Sequence, residues 1–139
     1  MNILEFFDQT KYPKNKAFGT FVKSRRKELG YTIQNLADKT NLSTTYIFDI
    51  ENSNRNAPIK HLQTLMTVLQ VTQEQTDLFM DLAGMSTGHY PDITEYLDDK
   101  PHAREFLRVA KRNNLSGEEV LQVVKDYEEI KAAKEAEKE

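Results

Sequence analysis

The sequence predicts an all-α protein, a five-helix domain followed by a C-terminal helical extension. Three observations predict it. Apolar residues recur at three- and four-residue spacings along most of the chain, the period of a helix with one buried face. Start and stop residues punctuate those stretches: Thr32, Ser43 and Ser116 as N-caps, Gly30 and Gly84 as ends. Finally, Thr32 to Glu51, TIQNLADKTNLSTTYIFDIE, divides into two short helices around a tight corner at Asn41.

The first predicted helix runs from Asn15 to Leu29, with Phe18, Phe21, Val22 and Leu29 as its buried stripe. Arg25, Arg26 and Lys27 close it with positive charge, as the helix dipole prefers. Arg25 and Lys27 either reach phosphates or are simply solvated. Ahead of it, Ile3, Leu4, Phe6 and Phe7 mark an amphipathic segment over residues 2–9, ended by Pro13 among Lys11, Lys14 and Lys16. That segment is expected to be a lid on the core; a dimer contact or a basic arm on phosphates is the alternative.

Thr32 caps a second helix carrying Ile33, Leu36 and Ala37, and Ser43 caps a third carrying Ile47 and Ile50 inward. Asn41 suits the corner because asparagine tolerates a left-handed backbone. The outer face of the third helix holds Thr44, Thr45, Tyr46, Phe48 and Asp49, a set that a packed core would not choose. Helices this short do not persist alone in water, so they need a scaffold. A helix-turn-helix meets both facts: one helix braces, and the next enters the DNA major groove.

The spacing of Ala37, Asn41, Leu42, Ile47 and Ile50 resembles the helix-turn-helix of the lambda Cro and phage repressor (XRE) family. Arg26 before it, IENSNRNAP after it and the apolar helix KHLQTLMTVLQV beyond extend the resemblance over roughly residues 15–84. Asn41 stands where the family usually has glycine. Ile33, with Gln34 beside it, stands where relatives often place a phosphate-binding glutamine. Asp49 is acidic in a helix that would approach a polyanion.

The resemblance implies a sequence-specific transcriptional regulator, most commonly a repressor, that reads double-stranded DNA as a homodimer on a near-palindromic operator. By family position Arg26 would pair with Glu51 as a structural ion pair, and Thr44 and Thr45 would read bases. Asp49 lies one turn beyond Thr45 on the same face. Threonine can hydrogen-bond several bases or offer its methyl to thymine, and aspartate can accept from cytosine N4. Helix capping is the ordinary alternative for the two threonines. Gln34, Ser43, Tyr46, Asn52, Asn54, Arg55 and Lys60 are the expected phosphate contacts, which position without reading sequence. A packing role is the alternative for Tyr46, and a solvated turn for Asn52 to Pro58.

Residues 58–69 form a fourth predicted helix, with Ile59, Leu62, Leu65, Met66 and Leu69 on one side. A fifth opens at Thr72 or Gln73, carries Leu78, Phe79, Leu82 and Ala83, and is expected to end at Gly84. The implied domains are an N-terminal segment 1–14, a DNA-binding domain 15–84, a linker 85–91 and an extension 92–139. In the extension Asp92 caps a short turn, and Pro101 opens a helix with Phe106, Leu107 and Ala110 inward. Ser116 and Glu119 form a capping box for a last helix with Val120, Val123 or Val124, Tyr127 and Ile130, fraying in KAAKEAEKE. The extension is expected to pair with a second copy, with folding back on the core as the alternative.

The net charge of −3 conceals an asymmetry. Residues 11–61 hold ten Lys and Arg against four Asp and Glu, while residues 62–139 hold nine against sixteen. The basic excess falls on the helix-turn-helix, as a nucleic-acid face would have it. Without cysteine there is no disulfide or thiolate metal site. No apolar run approaches the roughly 20 residues of a membrane span. MNILEFFDQT lacks the basic start of a signal peptide, so the cytoplasm is the expected location. His61, His89 and His102 are scattered, and no glycine-rich phosphate loop or nucleophile elbow occurs, so no cofactor, metal or enzymatic activity is expected. Asp49 and the acidic C-terminal half favour a rival reading, in which the fold holds a protein partner, as antitoxins do.

Overall fold

The computed structural model describes residues 14–138, with side chains from Lys16 onward, and all of its regular structure is helical. The segment expected over residues 2–9 lies outside the described residues. Two compact units divide between Glu95 and Tyr96.

The first unit holds the five expected helices: α1 (Lys14–Glu28), α2 (Ile33–Thr40), α3 (Thr44–Glu51), α4 (Leu62–Val68) and α5 (Gln73–Thr87). Gly30 ends the first at φ 73°, a backbone that side chains with a Cβ rarely adopt. A 3-10 turn, Ile59–His61, leads into α4. The core is one cluster in which Phe18, Val22, Leu36, Ile47, Ile50, Leu65 and Phe79 are almost wholly buried. Phe79 centres it, meeting the edges of Phe18 and Phe21 with ring centroids 5.2 and 5.9 Å away. Helix α1 packs on α5 and on α3, and α2 packs on α3 and α4, which supplies the scaffold the two short helices lack alone.

Helix α5 departs from expectation. It does not stop at Gly84 but runs on through Met85 to Thr87, which take up part of the expected linker, and Gly88 ends it at φ 84°. Gly84 has another reason to be glycine: a Cβ there would lie inside the Tyr90 ring. Further up the helix, Asp81 titrates above its ordinary value of 3.8, because burial disfavours the carboxylate and the charges of Asp77 and Asp92 add to that.

Three more helices follow: α6 (Pro91–Asp98), α7 (Pro101–Arg112) and α8 (Gly117–Glu137). Asp92 is not a cap but lies in the first turn of α6. Proline does open α7, and the capping box of α8 is made by Ser116 and Glu119. The tail remains helical through Glu137, where fraying was expected. In the second unit Arg104 donates to the carbonyls of Leu97 and, at 2.9 Å, of Asp98. No residue from Pro91 to Lys138 is buried. Phe106 and Leu107, expected inward, are 43% and 47% exposed, and Tyr127 and Ile130 are more so.

Candidate nucleic-acid interface

The corner between α2 and α3 is built from local bonds. Thr32 Oγ1 accepts from the Asn35 amide at 3.0 Å, and Asn35 Oδ1 accepts from the Thr32 amide at 2.9 Å, a reciprocal cap. Asn41 closes α2 in the left-handed region at φ 58°, ψ 33°, so asparagine does here what glycine usually does. Ser43 then caps α3, its Oγ accepting from the Tyr46 amide at 3.0 Å. With Ser43 as the cap, Thr44 and Thr45 are not the capping residues, and both stand exposed at the helix start.

The inner side of α3 is held at both ends. Ile47 and Ile50 enter the core. At the C-terminal end Glu51 is buried and receives a fork from Arg26, Nε to Oε2 at 2.7 Å and an Nη to Oε1 at 2.9 Å. A further Arg26 nitrogen donates to the Tyr31 carbonyl at 2.8 Å, so the guanidinium is satisfied on several sides. Beside this pair α1 and α3 approach without a side chain between them. A Cβ on Gly19 would fall onto the Ile50 carbonyl oxygen and within 2.8 Å of that of Glu51. Only glycine permits this approach, which sets how α3 lies against α1.

The expected phosphate residues divide by what else they do. Arg55 is exposed, its guanidinium 4.4 Å above the Tyr46 ring, a cation–π contact that orders an otherwise mobile side chain. Tyr46 is half-buried and meets His61 edge-on, so it is a packing platform for Arg55 as well as a hydroxyl donor. Lys60 and Asn54 are exposed. Gln34 donates its amide to Asp38 at 2.8 Å, and Asn52 donates its own to the Phe48 carbonyl at 2.9 Å. Ser43 keeps a hydroxyl hydrogen free to donate while its oxygen serves as the cap. Asp49 is half-buried. The loop after α3 turns through Ser53 at φ 60° and is tied to α5 where the Ala57 amide donates to Ser86 Oγ at 2.9 Å.

Sequence reasoning left Arg25 open between phosphate and solvent. It is structural: Nε donates to the Leu69 carbonyl at 2.8 Å and another nitrogen to Gln70 at 3.1 Å, closing the end of α4. Gly19 was missed altogether, because nothing in a helix-period pattern announces a close backbone approach. Among the described residues, no three His, Asp or Glu side chains are grouped so as to hold a metal ion.

A helix-turn-helix family model matches residues 22–72, from the middle of α1 to the cap of α5. Curated proteins give no match. Among solved structures, a SinR protein/SinI protein complex is similar at 24% identity, over 84% of this chain and 98% of that one, with a TM-score of 0.41. The matched residues include both short helices, the Asn41 corner and the loop that carries Arg55. Residues 22–72 of the chain therefore carry a helix-turn-helix domain.

Proposed function

We propose that the protein is a sequence-specific transcriptional regulator, a repressor by occlusion, that binds a near-palindromic operator as a homodimer. The observation that carries the reading is the exposed start of α3. Thr44 and Thr45 are free of capping duty there, on a helix whose other side is fixed by Ile47, Ile50 and the Arg26–Glu51 fork. In this reading the two threonines read base edges, and Asp49 accepts from a cytosine one turn further on. Arg55, ordered on Tyr46, holds a phosphate, with Lys60, Asn54, Ser43, Asn52 and Gln34 as secondary contacts.

Dimerisation is proposed to run through the second unit. The apolar residues of α7 and α8 stand at helical spacing yet remain exposed, including Phe106, Leu107, Val124 and Ile130. Two copies pairing there would present two α3 helices to successive major grooves, roughly 34 Å apart. The same exposed faces favour a second reading, in which they hold a different protein that switches or replaces DNA binding.

Variants distinguish the roles. Thr44→Ala or Thr45→Ala should relax base preference by about 1–3 kcal/mol, measured on matched and mismatched duplexes. Arg55→Ala should weaken all sequences alike and reduce the salt slope by about one. A uniform loss for the threonine variants, or an unchanged slope for the arginine variant, would refute those assignments.

A further inference from the structure

Up to Asp92, Phe48 and Ile59 are the large hydrophobic side chains left exposed among the described residues, and Phe48 is the more so, at 50% against 38%. Phe48 stands one turn after Thr44 on α3, away from Ile47 and Ile50. With Ile33 at the start of α2, Thr44 and Thr45, it lines an open depression of about 300 Å³. No charged side chain enters that lining. An apolar hollow on the outward side of α3 adds nothing to the core, and it lies in the basic half of the sequence, where the charge complements a polyanion.

We propose that this hollow is a thymine-methyl pocket, with Phe48 and Ile33 as its apolar walls and the methyls of Thr44 and Thr45 as its rim. The inference rests on the DNA-binding reading and deepens it. In the major groove every base edge offers a donor, an acceptor or both, but only thymine offers an apolar group, the C5 methyl. A hollow without charge, beside two threonine hydroxyls, suits a methyl flanked by hydrogen-bonding edges. The pocket discriminates thymine from cytosine, which places a polar amino group at C4 and no methyl at C5. It also splits the labour on α3: the pocket takes the thymine methyl, and Asp49, next to Phe48 in the chain, accepts from a cytosine.

The test uses the full chain and a duplex selected from random-sequence DNA for tight binding. Each thymine of the selected site is replaced in turn by deoxyuridine, which keeps every Watson–Crick bond and removes only the methyl. The wild-type protein should lose about fourfold in affinity at one or two positions of each half-site, the worth of one buried methyl group. Phe48→Ala should bind thymine and uracil duplexes equally at those positions, and its unfolding temperature should stay that of the wild type. Phe48→Leu, which keeps an apolar wall, should retain part of the preference. A site selected and bound tightly, but indifferent to uracil everywhere, would overturn the pocket and leave the DNA-binding reading intact. Full methyl sensitivity in Phe48→Ala would overturn the assignment to Phe48. Failure to select any site would overturn both.

Discussion

Arg26 and Glu51 are separated by 25 positions in the sequence, yet they fix the far end of α3. Their side chains are 9% and 1% exposed, so each charge depends on the other. Arg26→Ala should cost about 3–5 kcal/mol, because it strands a buried carboxylate, and denaturant unfolding would show it. Asp81 runs the other way. Its carboxyl is held above 3.8 chiefly by burial, so the folded state binds the proton more tightly than the unfolded chain. The associated stability is present below the ordinary carboxylate pKa and is lost as pH rises through the raised one. Asp81→Asn should therefore raise the melting temperature at neutral pH and lessen the loss of stability between pH 4 and neutrality, within the range set by that upward shift. An unchanged profile would mean that Asp81 is solvated in both states.

At the scale of elements, the contact of α1 with α3 is the one most open to test. Alanine in a helix interior is ordinarily better than glycine by roughly 0.5–1 kcal/mol. At Gly19 the new methyl would meet the carbonyls of Ile50 and Glu51, which are backbone and cannot turn aside. Overpacking costs about 1–3 kcal/mol, so the sign reverses and Gly19→Ala should destabilise, as a thermal melt can measure. Much of this architecture was legible in the sequence. Thr32, Asn41, Ser43 and Ser116 act through neighbours three or four residues away, and short-range chemistry can be read from a string. Gly84 misled for the same reason: taken locally it is a helix stop, whereas its actual neighbour is the Tyr90 ring. Arg25 was undecided because its partners, Leu69 and Gln70, lie more than 40 positions away. The hollow beside Phe48 was likewise invisible, since it needs Ile33 from another helix.

On the scale of the whole molecule, two units carry opposite characters. The first buries its apolar residues and bears the helix-turn-helix; in the second, which begins at Tyr96, none is buried. Among the described residues no helix is long and apolar enough to cross a membrane. Leu107→Asp places a charge in the exposed apolar face of α7 and should halve the solution mass, with a loss of operator affinity, if pairing runs through it. The most direct test of the central claim is fluorescence-anisotropy binding of the full chain to selected and random duplexes across a salt series. Binding should be tighter to selected duplexes, with affinity for both falling steeply as salt rises, by a log–log slope of about 0.9 for each phosphate neutralised. No binding even at low salt would contradict it.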